Sequence, residues 1–257
     1  MKKGKLYFHQ GWTDIMCQLA LVNYYNKMYG ELKIVMRSDS QNLFNFYIRD
    51  LKNIIPIYIK TDNGRHINND HFNTDLDCDR LFHGHHDQFR NDNYKNSFVN
   101  MCNQNKTHFM EAFYTAYNIN YNVRINNFSI NRDMDMENNI YDEFIKKYGV
   151  DYIVYHDDEM NHIHGVNSVS TKINFPNIQS KINYINLNKI SYTFFDYLTV
   201  IQNAKEIHLV DSVWAAFCYQ MDAKYGIFSN KPIIVYAKRG HRNLFVTPKL
   251  LNNWSIQ

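Results

Sequence analysis

Short apolar runs alternate with longer helical periods along the whole chain. Strand-length stretches rich in β-branched and aromatic residues fall at Lys5–His9, Lys33–Met36, Ile54–Ile59, Arg80–Phe82, Tyr152–Tyr155, Ile182–Leu187, Glu206–Leu209 and Pro232–Tyr236. Gly, Asn, Asp or Pro bounds them, as expected of strands. Between them, apolar positions recur at helical spacing over Asp14–Met28, Thr107–Tyr117, Asp135–Tyr148, Ser191–Gln202 and Ser212–Lys224. Gly30 and Gly149 read as stops of the helices before them, Asp211 and Ser212 as caps of the helix after them, and Ser191 as a further cap. Strands alternating with helices predict a parallel α/β protein. The expected architecture is two Rossmann-like domains facing a cleft. The boundary falls after a charged helix and before a new strand, giving one domain over 1–148 and a second over 149–257. Thr61 to Asn105 is the least regular region and reads as a long loop excursion.

Two strand-to-helix junctions stand out. The first runs from Leu6-Tyr7-Phe8 through His9-Gln10-Gly11-Trp12-Thr13-Asp14 into an apolar helix. Gly11 allows a sharp turn and a close approach of ligand to the backbone. Asp14 lies in the first helical turn, where the helix dipole is expected to keep it ionised. There it can take a proton from a sugar hydroxyl, or serve only as a helix cap. The second junction, Val210-Asp211-Ser212, opens the helix of Trp214 and Phe217. Exposed N–H groups and a hydroxyl at such a start can seat a diphosphate, or the pair can simply cap the helix. Asp211 would repel phosphate, which leaves Ser212 and the backbone as the better seat.

Other polar clusters follow strands. His156 and Asp157 leave the run Tyr152–Tyr155, where ligands of open α/β sheets bind, and can hydrogen-bond ribose or sugar hydroxyls. Lys238, Arg239, His241 and Arg242 follow Pro232–Tyr236 and can neutralise a diphosphate, or form a solvated basic loop. His83, His85, His86 and Asp87, and the pair His162 and His164, lack the H-E-x-x-H spacing and read as polar walls before metal ligands. Asp75, Asp77 and Asp79 match a D-x-D pattern without clearly ending a buried strand. No G-x-G-x-x-G, P-loop lysine or G-x-S-x-G elbow is present, which disfavours dinucleotide enzymes, P-loop kinases and serine hydrolases.

Composition adds limits rather than a function. The 257 residues are 45% hydrophobic and 21% charged, enough for one large or two small cores. The 20 Tyr and 17 Phe rise together with Asn, Lys and Ile, which points to coding bias before aromatic function. A net charge of +3 without a long basic block does not call for nucleic acid. Of the four cysteines, Cys17 and Cys218 sit in apolar helical patterns and read as buried thiols, consistent with a reducing compartment. No run of about 18 apolar residues suggests a membrane span, and no signal peptide is apparent. A soluble, cytoplasmic protein is expected.

Phe8-His9-Gln10-Gly11-Trp12-Thr13-Asp14 resembles the H-x-G-x-G-D start of compact GT-B-type glycosyltransferases. The stretch from Phe195 to Ser212, with Asn203-Ala204-Lys205-Glu206-Ile207 and then Asp211-Ser212, resembles their C-terminal half. Phe113-Tyr114, Arg124, Phe128 and Arg132-Asp133 also look like proteins of microbial and viral glycan clusters. Thr13 replaces the second glycine, the chain is shorter than most two-domain members, and the E-x-x-x-x-x-x-E donor motif of retaining members is absent.

The resemblance implies a GT-B-like pair of domains, the acceptor side over 1–148 and the nucleotide-sugar side over 149–257, in a metal-independent glycosyltransferase with no cofactor, a nucleotide-sugar donor and a hydroxyl acceptor; the missing motif of retaining members favours inversion. It makes Asp14 the general base and Ser212 a contact to donor phosphate. Gln10, Gly11, His156, Asp157, Asp211, Lys238 and Arg239 are the further candidates for binding. Two alternatives remain open: a non-catalytic glycan- or nucleotide-binding module on the same scaffold, and a nucleotide-sugar epimerase. The Y-x-x-x-K pair of redox epimerases fails at Ile145, four positions after Tyr141.

Overall fold

The computed structural model describes residues 2–8, 11–60, 77–82, 109–115, 117–157, 173, 181–187, 194–236 and 253–256. Packing divides the chain into Met1–Asn131 and Arg132–Gln257. That division falls ahead of the 148/149 boundary expected. The helix that Gly149 ends lies in the second unit.

In the first unit, β1 (Lys3–Phe8) leads through Gly11 into α1 (Trp12–Asn26). β2 (Glu31–Arg37), α2 (Gln41–Ile48), β3 (Ile54–Ile59) and β4 (Asp79–Phe82) follow, then α3 (Phe109–Thr115) and α4 (Val123–Asn126). The four strands form one parallel sheet in the order β3-β2-β1-β4. The core is built on β1 and α1. Leu6, Tyr7, Leu19, Leu21, Leu32 and Ile34 are fully buried. From Ile15 onward α1 is apolar on nearly all sides and buried accordingly. Tyr114 Oη donates to the Cys17 carbonyl at 2.8 Å, and Asn23 Nδ2 donates to Tyr47 Oη, the Asn127 carbonyl and Ser129 Oγ. Gly4 is closely packed: a Cβ there would lie 3.0 Å from the Tyr29 ring, which would have to give by a few tenths of an ångström. Gly30 does not stop α1: the helix ends on Lys27, and the Gly30 N–H donates to the Lys2 carbonyl, leading the chain into β2.

The second unit opens with α5 (Met134–Tyr148) and β5 (Tyr152–His156). Next come β6 (Asn183–Asn186), a 3-10 turn at Phe195–Tyr197 running into α6 (Leu198–Asn203), and β7 (Ile207–Val210). α7 (Val213–Tyr225), β8 (Ile233–Tyr236) and β9 (Trp254–Ile256) complete it. Its sheet is parallel throughout, in the order β6-β5-β7-β8-β9. The Asp133 side chain caps α5 by accepting from the Met136 N–H, and Gly149 and Gly226 end α5 and α7 with positive φ of 76° and 63°. Glu137 is buried on α5, where Arg132 pairs with both its oxygens and the Thr199 N–H and hydroxyl donate to it. On α7, Asp222 accepts from the Phe228 N–H and from Trp254 Nε1, which fastens β9 to the helix.

The eight expected strands are all present, with ends shifted by up to two residues. Cys17 and Cys218 are buried thiols, as expected. No helix among the described residues is long and apolar enough to cross a membrane.

Candidate functional site

Each sheet has a point where its strand order reverses, and each junction singled out above lies at one. In open α/β sheets such points form a crevice at the carboxyl ends of the strands. In the first unit β1 lies between β2 and β4, so the chain leaving β1 enters α1 at the switch point. In the second, β5 and β7 flank the switch point and carry His156 and Asp211-Ser212 at their carboxyl ends.

At the first junction Gly11 is the N-cap residue of α1, with φ −69° and ψ 171°, an extended conformation open to any residue. The expected need for glycine to make a sharp turn is therefore not met. Space around Gly11 is a different matter: among the described residues an added Cβ would meet only Asp14 Oδ2, at 3.9 Å. Asp14 stands in the third position of the helix and accepts from the Gly11 backbone N–H. That contact is the carboxylate half of a capping box. The side chain is part-exposed, yet burial around the carboxyl group dominates its chemistry. Burial pushes its pKa up from 3.8 to about 7, against the smaller opposing effect of the Gly11 N–H. The expectation that the helix dipole would hold Asp14 fully ionised is thus corrected: desolvation outweighs it. A carboxyl group near 7 can both accept and hold a proton at neutral pH.

The second junction is a network of buried side chains. Ser212 is the N-cap residue of α7, but its hydroxyl does not cap the helix. Ser212 Oγ lies 3.0 Å from His156 Nδ1 instead, which links the carboxyl ends of β7 and β5 across the switch point. The expected capping role is therefore corrected for Ser212, whose side chain makes no bond to the first N–H groups of α7. Asp157 accepts from Asn186 Nδ2 at 3.1 Å, bringing β6 into the same group. The Asp211 N–H donates to the Tyr236 carbonyl at 3.0 Å, which ties the start of α7 to β8. His156, Asp157, Asn186, Asp211 and Ser212 are all at most 8% exposed. Five polar side chains this deeply buried at strand ends are costly unless satisfied, and the network accounts for part of that satisfaction.

Asn186 was not singled out from the sequence. Its signal was available: a polar residue at the carboxyl end of an apolar run, in register with Tyr155 and so beside His156 and Asp157. Asp77 and Asp79, by contrast, lie at the amino end of β4, opposite to the ligand-binding edge. They pair with Lys3 and Lys2 at the surface, and Tyr29 Oη donates to Asp79. The lysines hold both carboxyl groups below their ordinary range. The D-x-D reading does not hold for these two residues. Gln10, Lys238, Arg239, His83, His85, His86, Asp87, His162 and His164 lie outside the described residues.

Two parallel α/β units, each with a polar strand-to-helix junction at its switch point, define a protein of Rossmann-like α/β fold. Its fold resembles that of a solved structure described as the glycosyl transferase family 9 from Veillonella parvula DSM 2008. The two match with a TM-score of 0.57 at 10% sequence identity, over 100% of this chain and 86% of that one. The resemblance is one of fold. No family model matches the sequence, and no curated protein matches it.

Proposed function

We propose that the protein is a glycosyltransferase that moves a sugar from a nucleoside-diphosphate sugar to a hydroxyl acceptor, with inversion and without a metal ion. The observation that carries this reading is Asp14, a carboxyl group at the switch point of a Rossmann-type sheet with its pKa held at about 7. Asp14 takes the proton from the acceptor hydroxyl. The acceptor oxygen forms a bond to the anomeric carbon as the bond from that carbon to the diphosphate oxygen breaks. The electron pair leaves with the nucleoside diphosphate.

Negative charge grows on the leaving group in this step, so fixed donors that meet it lower the barrier. The first N–H groups of α7 and the Ser212 hydroxyl suit that role, with Lys238 and Arg239 as further cations. His156 and Asp157 orient the donor's nucleoside or sugar, and Asn186 holds Asp157. Asp211 positions the start of α7 through its backbone. Gln10 and Gly11 border the acceptor. The shared fold with the glycosyltransferase from Veillonella parvula supports the assignment of class.

A second reading is a binding module without turnover. It is favoured by the bond between Asp14 and the Gly11 N–H, which a plain helix cap would also make. Thermal unfolding in the presence of UDP, GDP, ADP, CMP and their sugars tests both. A nucleotide at a hundred times its Kd should stabilise the protein by about 2.7 kcal/mol, and the matching nucleotide sugar should be consumed. Stabilisation without consumption supports the binding module. Neither effect with any nucleotide contradicts both.

A further inference from the structure

We propose that the backbone of Arg132 is the pivot of a hinge between the two units, with a separate clamp on each side of it. The pivot itself is argued from bonds within each unit. Its part in the reaction rests on the reading of the protein as a glycosyltransferase.

The chain passes from the first unit to the second between Asn131 and Arg132. Each unit has a sheet of its own, and relative motion is the default for units built that way. Residues 128–133 run without helix or strand between α4 and α5. Such irregular stretches at the ends of elements are where hinges absorb changes of φ and ψ.

The tethers along this stretch change sides within two residues. Up to Asn131 they reach into the first unit. The Asn127 carbonyl and Ser129 Oγ accept from Asn23 on α1. Phe128 is fully buried and stacks on Tyr47 of α2, with ring centres 5.8 Å apart. The Asn131 carbonyl accepts from Arg49 Nη2 at 2.5 Å, and Asn131 Nδ2 donates to Asp50 Oδ2 at 3.0 Å, both just past the end of α2. From Arg132 onward the tethers reach into the second unit. Arg132 Nε and Nη2 donate to the two Glu137 oxygens at 2.9 and 2.6 Å, and Nη2 donates to Thr199 Oγ1 at 3.2 Å. The next residue, Asp133, caps α5.

These tethers leave one place for rotation. A peptide group is planar, so the Asn131 carbonyl, held by Arg49, fixes the Arg132 nitrogen as well. The cap of α5 fixes Asp133. The φ and ψ of Arg132 are therefore the rotations that have one unit on either side. The two clamps differ in strength. Arg132 and Glu137 form a bidentate, charge-assisted pair with Glu137 only 1% exposed. Arg49, Asp50 and Asn131 meet at the surface, where such bonds are worth little. The clamp on the first unit is thus the one that yields. In the proposed reaction the base, Asp14, belongs to one unit and the phosphate seat at Ser212 to the other, so the pivot governs when they act together.

Two measurements test the proposal. The first needs no turnover. Lys27→Cys in the first unit and Ser229→Cys in the second, both at exposed positions, carry a pair of energy-transfer dyes, with Cys78 and Cys102 replaced by serine. Single-molecule energy transfer then reads the distribution of distances between the units. Asn131→Gly frees the backbone and removes the bond to Asp50. It should broaden or shift that distribution, with Tm changed by no more than about 2 °C. Arg49→Ala, which releases the Asn131 carbonyl, should alter the distribution in the same way. Asn53→Gly places a glycine inside the first unit, where φ is already positive at 65°, and should leave the distribution as in the wild type. A distribution identical to wild type in either clamp variant overturns the proposal, as does an equal change in Asn53→Gly. The second measurement uses whichever nucleotide sugar is turned over. Asn131→Gly should lower kcat by about ten- to a hundredfold and leave the nucleotide Kd, set within the second unit, unchanged. An unchanged kcat overturns the part of the pivot in transfer. An altered distribution with no turnover of any nucleotide sugar by the wild type would instead count against the glycosyltransferase reading and leave the hinge in place.

Discussion

The junctions β1–α1 and β7–α7 share a grammar of apolar strand, polar turn and buried helix, but they are stabilised in opposite ways. At the first, the polar group turns onto its own loop: Asp14 accepts from the Gly11 N–H. At the second, the polar groups reach neighbouring strands: Ser212 to His156 on β5, and Asp157 to Asn186 on β6. The first keeps one carboxyl group, part-exposed, with its pKa near neutrality. The second keeps five polar side chains fixed and buried. A base has to change its proton count in each cycle, and a local, lightly held carboxyl group can do so. A seat for a charged leaving group has to stay in place while charge develops, which rewards donors fixed in advance.

Substitutions can break this contrast. Asp14→Asn should lower the transfer rate by about 10²–10⁴-fold while leaving the fold intact. It should also change the pH dependence of stability in a set direction. Burial raises the pKa of Asp14 in the folded chain, so the folded state holds a proton that the unfolded state releases. The stability this contributes is complete below about pH 4 and is lost as the pH rises through about 7. The asparagine variant should therefore gain in Tm relative to wild type between those limits, and equal slopes would place Asp14 in water.

Asn186→Ala tests the knitted junction. It removes a buried donor from Asp157 and should cost about 1–3 kcal/mol in denaturant unfolding, with nucleotide affinity falling as well. Unchanged values for both would detach Asn186 from the site. Gly11→Ala should have the smallest effect on stability, under about 1 kcal/mol, because the backbone is extended and the added methyl has room. If glycine serves close approach of a ligand, the same change should raise the acceptor KM. A large loss of stability would restore the turn as its reason.

Much of this could be read from residue pattern. Ile54–Ile59 is a strand end to end as expected, and both junctions were placed from apolar runs bounded by glycine or acid. Local periodicity marks such elements because burial on a sheet or against it imposes the spacing. α2 is harder to read: Leu43, Phe44, Tyr47 and Ile48 recur at helical spacing, but over eight residues that period is short. β9 has three residues and owes its place to the bond from Trp254 Nε1 to Asp222, a tertiary contact with no local trace. At the site, residue type pointed to Asp14, His156 and Ser212 but misjudged their states. Charge on Asp14 depends on how much protein surrounds it. The partner of Ser212 depends on which strand lies beside β7. Both are properties of packing.

The pH dependence of kcat/KM for transfer, measured with the donor that binds, tests the role of Asp14 most directly. With Asp14 as the base, the unprotonated form acts, so kcat/KM should rise with pH and level off above an apparent pKa of about 7. The residual activity of Asp14→Asn should lack that limb. A profile that is flat across neutrality in the wild type, or a limb that persists in the asparagine variant, would contradict it.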